Sequence, residues 1–295
     1  MEQSKDLMEY AFSSKNTWAI IFLFALMIMN WGIEAKKWQI LVRPVEKVNL
    51  FRAFRAVLSG LSLSLFLPNG IGEYAGRIVY MKEGNRLRSV ALTIVGSISQ
   101  VLVTFFAGIA GLIYLRHFTW KHSTQFEGLS LFWMDGIMYI VILGTIILLL
   151  IYYKLSWLTS LMEKVPFIYK YKYLIESIEH FHQKELTKIL ILSVTRYCVF
   201  VIQYLLLLHI FNVQVFWLDA VFTTCVLFLV LAILPTIPFA DVGLRSEAGL
   251  QLFGIISVNT LGIVATATGI WLVNLIIPSI FGSLFMLGVR IFRNK

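Results

Sequence analysis

The chain has 295 residues, of which 59% are hydrophobic and only 14% charged, against about a quarter charged in an ordinary soluble domain. So few polar residues cannot cover the surface of one or two soluble domains of this length. The net charge of +9 has a simple origin in basic cytoplasmic loops, so nucleic acid is not expected as a partner.

No Asp, Glu, Lys or Arg occurs in 16–33, 56–72, 89–115, 136–153, 197–218, 220–240 or 248–289. Most of these runs approach the roughly 20 residues that cross a ~30 Å hydrocarbon core as a helix. A β-barrel is excluded, because its strands alternate apolar and polar. The pattern predicts an all-α polytopic membrane protein with about six to eight transmembrane segments. Residues 1–15 are polar and Lys15 opens directly into an apolar run, so no cleavable signal peptide is expected. No segment outside the membrane is long enough for a catalytic domain. Cys198 and Cys225 lie in apolar runs without CxxC spacing and read as buried small hydrophobes.

Along the chain, the first span is followed by 34–55, which holds six basic residues, and by 77–88, which holds four. Both read as cytoplasmic. The apolar stretch between them, 56–76, must then enter and return on one side. Its breakers are Pro68, Gly70 and Gly72, and irregular backbone at membrane depth is tolerated only inside protein or beside a wet cavity. Residues 116–127 and 212–219 together hold only Arg116 and Lys121, so they read as external. Segment 154–188, with six Lys, reads as a cytoplasmic amphipathic linker.

Residues 189–211 cross outward. A second interrupted stretch, 216–257, is broken at Pro235 to Pro238 and at Gly243 and returns to the outside. The 42-residue run 248–289 is too long for one crossing. It predicts the returning arm, a bend near Asn259 and a last span containing Pro278. The basic residues of 290–295 put the C-terminus in the cytoplasm, and charge counting puts the N-terminus outside. The whole of 1–295 is thus one membrane domain: a first repeat 1–153, the linker 154–188, and an inverted second repeat 189–295, each repeat with a re-entrant helical hairpin. Trp18, Trp31, Trp38, Trp120, Trp133, Trp157 and Trp217 fall near predicted span ends, as an aromatic belt requires.

Each hairpin carries charge. Leu67-Pro-Asn-Gly-Ile-Gly-Glu-Tyr-Ala-Gly-Arg77 and Ile237-Pro-Phe-Ala-Asp-Val-Gly-Leu-Arg-Ser-Glu247 share a proline, a glycine break, and an acid followed four residues later by arginine. The pairs are Glu73/Arg77 and Asp241/Arg245, and Glu247 adds a second acid. Acid-first i,i+4 spacing is the favourable order on a helix. A helix starting after each break would offer free N–H groups and its dipole to an anion. Arginine adds bidentate recognition of phosphate. The acids could orient the arginines or carry protons. Candidate substrate-binding residues are therefore Arg77, Arg245, Glu73, Asp241, Glu247, Gly70, Gly72, Gly243, Pro68 and Pro238. The alternative is that each pair merely closes a structural kink.

Gln100 and Arg196 are secondary candidates. Arg196, with Lys188 behind it, reads as snorkelling to the cytoplasmic interface, and Gln100, like Asn274, as joining helices. The five His show no metal-ligand pairing, no nucleophile–His–acid set is recognisable, and no Walker-type loop occurs. No metal, cofactor or catalytic residue is expected.

Asn30-Trp-Gly-Ile-Glu-Ala-Lys-Lys-Trp38, Leu67-Pro-Asn-Gly-Ile-Gly-Glu73 with Arg77, and Ile237-Pro through Gly243 to Glu247 resemble the flippase-like membrane family, the transmembrane region of lysylphosphatidylglycerol synthases and their stand-alone relatives. The resemblance covers almost the whole chain, through short, glycine-dominated motifs. It implies a bacterial or archaeal cytoplasmic-membrane protein with inverted repeats and re-entrant helices, linked in two-domain relatives to moving lipid head groups. The soluble lysyl-transferring domain of those relatives is not expected after Lys295, nor is synthase activity. Where the family often has a Glu-Arg-x-x-Asp cluster, this chain reads Gly96-Ser-Ile-Ser-Gln100. Where it often has arginine before the last proline, this chain has Trp271.

The expected function is flippase-like transport of a phospholipid or other anionic or zwitterionic lipid, bound by its head group in a wet central cavity between the hairpins. Membrane lipids would be the partners. Two alternatives stand: a membrane-embedded transferase or accessory subunit acting on a lipid-linked substrate, and a non-transporting scaffold.

Overall fold

The computed structural model describes residues 11, 14–67, 70–119, 131–154, 181–234 and 238–293. Among the described residues there are ten α-helices and no strands. They are α1 (Thr17–Val42), α2 (Leu50–Ser64), α3 (Ile71–Ile78), α4 (Arg86–Tyr114), α5 (Leu131–Tyr153), α6 (Gln183–Ile210), α7 (Trp217–Ile233), α8 (Pro238–Phe253), α9 (Thr260–Trp271) and α10 (Ile277–Arg293). Four helical stretches among the described residues are long and apolar enough to cross a membrane: Thr17–Val42, Glu83–Phe118, Gln183–Ile210 and Thr260–Gly288. Met138–Tyr153 and Trp217–Ile233 are shorter apolar helices.

The chain divides into two compact units. One comprises Trp31–Val103, Thr145–Tyr197 and Pro278–Lys295; the other comprises Met1–Asn30, Thr104–Gly144 and Cys198–Ile277. The first unit holds the hairpin α2–α3. Asn49 caps α2, its side chain accepting from the Arg52 N–H at 2.8 Å, which satisfies one of the orphan donors of a helix start. The 15 residues of α2 reach about 22 Å, short of a ~30 Å core. Gly70 then turns the chain with φ +70°, a left-handed conformation that glycine adopts without steric cost. The arms of the hairpin meet backbone to backbone: a Cβ on Gly60 would lie 2.6 Å from the Glu73 carbonyl oxygen, and one on Gly76 would run into the Gly60 backbone. In the same unit, Leu41, Leu92, Val95, Leu102, Tyr152, Phe181, Leu186 and Ile189 form a buried cluster, with Tyr152 donating to the Leu186 carbonyl at 2.8 Å.

The second unit holds α7, α8 and α9. Tyr204 stacks on Phe253 at 5.6 Å and meets Phe228 edge-on at 5.9 Å. The expected bend is present. After α8, Asn259 accepts from the Gly262 N–H at 2.9 Å to start α9, and its amide nitrogen donates to the carbonyls of Phe211 at 3.2 Å and Asn212 at 3.1 Å. The long final run is therefore not one crossing: it holds the end of α8, this bend, and the stretch from Thr260 onward. Beyond α9 the chain passes through a π turn, Leu272–Ile276, just before Pro278. Proline lacks an N–H and collides with the carbonyl four residues back, here Asn274, and an extra residue in the turn relieves both. Asn274 accepts from the Asn30 side chain at 3.0 Å, tying α1 to this turn, as expected of a helix-joining polar group.

Several expectations need correction. Segment 34–55 is not a loop: α1 continues to Val42, and Glu34, Lys37 and Trp38 are buried within its last turns. Trp18 and Trp217 are exposed, as belt residues would be, but Trp31 and Trp38 are core. Trp38 donates to Thr93 Oγ1 at 3.1 Å, a partner that lets an indole be fully enclosed. Trp120, Trp157, the side chain of Trp133 and most of the 154–188 linker lie outside the described residues. Cys225 is buried as expected, whereas Cys198 is exposed.

Candidate functional site

Glu34 and Lys37 are three apart on α1 and so share a face. α3 brings Arg77, one turn after Glu73, and α6 brings Arg196. The charges of these three helices meet in one place. Glu34 Oε2 lies 2.8 Å from Lys37 Nζ and 3.1 Å from Arg196 Nη1, while Glu34 Oε1 lies 3.1 Å from Arg77 Nη2. The same Arg77 nitrogen reaches Glu73 Oε2 at 3.1 Å. The side chains of Lys37, Arg77 and Glu34 are 1%, 4% and 6% exposed, and Glu73 is the open end at 39%.

The surroundings complete the network. Lys37 Nζ donates to the Gly96 carbonyl and to Ser193 Oγ, both at 3.4 Å. Ser99 Oγ donates to the Gly96 carbonyl or shares a 2.7 Å bond with Ser193 Oγ. The Arg196 guanidinium sits over the Trp31 ring, 5.2 Å from its centroid, a cation–π contact. Tyr74, beside Glu73, is bonded to Ser97 Oγ at 3.3 Å. In these ion pairs two carboxylates face three cations in a largely enclosed place. Arg77 meets both carboxylates through a single nitrogen, and its buried Nε has no acceptor among the described residues.

The second pair is on α8. Arg245 Nε lies 2.6 Å from Asp241 Oδ2, with side-chain exposures of 28% and 12%. Asp241 falls in the first turn of α8, where the helix dipole favours an anion.

Both expected i,i+4 pairs are therefore formed. Gly70 makes the turn before α3, and Gly72 packs against α2, where a Cβ would strike the Ser64 backbone nitrogen. Pro238 opens α8, a position where its missing N–H is harmless. Gly243 makes no break. It lies inside continuous α8, and a Cβ there would meet nothing within 4 Å, because the helix starts five residues earlier, at the proline. Glu247 turns to the exposed side and accepts from Gln251 at 2.9 Å. Pro68 lies outside the described residues. Gln100 is part-buried on α4.

Arg196 does not snorkel away; it is 14% exposed and paired with Glu34. Sequence reading missed Glu34 and Lys37 as site residues because charge counting assigned them to a loop. Their signal was present: an acid and a lysine at helical spacing between Trp31 and Trp38, directly continuing an apolar run.

Neither a curated protein nor a solved structure matches the chain. The family model described as the lysylphosphatidylglycerol synthase TM region matches residues 7–282. That span takes in both interrupted stretches and every residue of the two charged constellations, and together with the long apolar helices it makes this a multi-pass membrane protein. The chain belongs to the lysylphosphatidylglycerol synthase transmembrane-region family.

Proposed function

We propose that the protein is a flippase-like transporter that carries a phospholipid or similar lipid across the cytoplasmic membrane by binding its anionic or zwitterionic head group at the Arg77 network. The family match points to a membrane lipid-related function. The observation that carries the finer reading is Arg77 itself, 4% exposed within the charge network, with a buried Nε that has no acceptor among the described residues. A buried donor without an acceptor is costly, and a phosphate monoanion has the right sign and acceptor geometry to meet it. Arg77 engages its carboxylates through one nitrogen only, which keeps part of the guanidinium fork for a ligand. Glu73, the exposed member, guards the approach by competing for Arg77.

In this reading α2–α3 and α7–α8 are re-entrant hairpins of two inverted repeats, an arrangement used by transporters that bind at interrupted helices. α2, α7 and α8 have 15, 17 and 16 residues, about 22–26 Å each, which supports partial rather than full crossings. Asp241 and Arg245 form the second head-group station.

The test is lipid movement in reconstituted vesicles, followed by bleaching a fluorescent phospholipid from the outer leaflet. Charged hydrogen bonds are worth about 1.5–3 kcal/mol, so loss of Arg77 or Arg245 is expected to slow movement about ten- to hundredfold. Arg77→Lys keeps the charge and guards against a folding artefact. Wild-type rates from Arg77→Ala and Arg245→Ala combined would sink the proposed site.

A further inference from the structure

A second cation in the α2–α3 unit is built differently from Arg77. Arg55 lies on the first turns of α2, and its guanidinium carbon sits 5.9 Å from the ring centroid of Phe51, 5.9 Å from that of Tyr80 and 5.5 Å from that of Phe285. Three rings on one guanidinium are more than helix packing needs. The cage is held rigid by its own bonds. Tyr80 Oη bonds Ser59 Oγ at 3.0 Å and donates to the Phe285 carbonyl at 3.3 Å, and the Tyr80 carbonyl accepts from Arg52. Gly288 leaves room beside Arg55 Nη2, since even a Cβ there would be 3.7 Å away.

What the cage lacks is an anion. Glu46 is taken by Arg52 at 3.2 Å. No carboxylate among the described residues pairs with Arg55, and its Nε is buried without an acceptor. A guanidinium stacked on ring faces still presents its N–H edge in the plane, which is the geometry that grips phosphate oxygens. The flanks are apolar: Leu50 and Phe51 on α2, and Ile280, Phe281, Leu284 and Leu287 on α10, are exposed. An anion arriving here would meet surfaces suited to acyl chains.

We propose that Arg55, in its cage of Phe51, Tyr80 and Phe285, is a binding site for the phosphate of an anionic phospholipid, distinct from the Arg77 network. The shared chemistry is a phosphate oxyanion, and its source is a lipid rather than free phosphate because of the apolar flanks. The site acts as a fixed lipid anchor for α2 and α10.

The experiment uses the full chain in nanodiscs or mixed micelles, with lipid retention read by native mass spectrometry. Phosphatidylglycerol is compared with phosphatidylcholine, and inorganic phosphate is added to a lipid-free detergent sample. One arginine at a membrane surface is worth about 1 kcal/mol towards anionic lipid, so wild type should prefer phosphatidylglycerol about fivefold. Arg55→Gln should lower that preference, leaving the share held at the Arg77 network, and Arg55→Lys should lower it less. If Arg55→Gln does not give monodisperse protein, Arg55→Lys carries the test, and an unchanged preference in it overturns the proposal. So does an unchanged preference in Arg55→Gln, or inorganic phosphate that saturates the site as well as lipid does.

Discussion

Glu34→Gln is the sharpest perturbation of the buried network, because one carboxylate neutralises three cations. Its oxygens lie 2.8 Å from Lys37 and 3.1 Å from both Arg77 and Arg196. The three cations do not suffer equally. Arg77 retains Glu73 and Arg196 retains the face of Trp31. Lys37 is left with only two long contacts, the Gly96 carbonyl and Ser193 Oγ at 3.4 Å, at 1% exposure. Removing one partner of a buried ion pair costs about 3–5 kcal/mol, chiefly because the remaining charge has nowhere to go. That is the expected loss for Glu34→Gln, read by denaturant unfolding in lipid-containing micelles. Orphaning can be separated from general damage by a second substitution. Lys37→Met removes the stranded charge with a similar volume, so Glu34→Gln/Lys37→Met should recover at least about 1 kcal/mol over Glu34→Gln alone. Additive losses from the two substitutions, or a loss below about 1 kcal/mol from Glu34→Gln, would refute the reasoning, since the network would then be solvated or decorative.

Other consequences follow from single positions. Gly243→Ala should stabilise by about 0.5–1 kcal/mol, because the site is open and inside a continuous helix; a loss in the same unfolding assay would mean that the chain does break there. Gly282→Ala should destabilise by about 1–3 kcal/mol or prevent folding, since its Cβ would strike the Leu58 carbonyl oxygen, and unaltered yield and melting would contradict the packing. Asn259→Ala removes the α9 cap and two bonds to the carbonyls just after α6 and should cost about 1–2 kcal/mol. A scaffold role predicts that Asp241 and Arg245 can be replaced together by Leu and Met without effect on lipid movement; the transport reading predicts a loss of at least about tenfold.

How much of this was legible beforehand depends on the range of the interaction. The apolar runs, the glycine turn before α3 and the proline that opens α8 are local, and they located the long helices and the short helices beside them. The acid–arginine spacing is also local, and both pairs formed. The errors at the Arg77 network share one cause: treating charge as a marker of water. Glu34 and Lys37 counted towards a cytoplasmic loop because ionised groups are seldom buried unless paired, and their partners, Arg77 and Arg196, are 43 and 162 positions away from Glu34 in a sequence that gives no hint of the meeting. Trp31 and Trp38 were misplaced with them, for a belt is expected only where a helix ends, and α1 had been ended too early.

The same reasoning assigns different roles to the chain's arginines. An arginine with a carboxylate one turn away, such as Arg245, is satisfied locally and can form its pair before any tertiary structure exists. Arg77 is satisfied partly at that range, through Glu73, and partly through Glu34 on another helix. Arg196 depends on tertiary partners throughout, and Arg55 has aromatic faces but no described acid. The further an arginine's compensation lies from its own helix, the more its burial must be justified by the folded protein or by a ligand. That ordering makes Arg245 the most tolerant of a change in its neighbours. It makes Arg196 the one whose loss is felt at Glu34, and Arg55 the one whose missing partner is sought in the membrane.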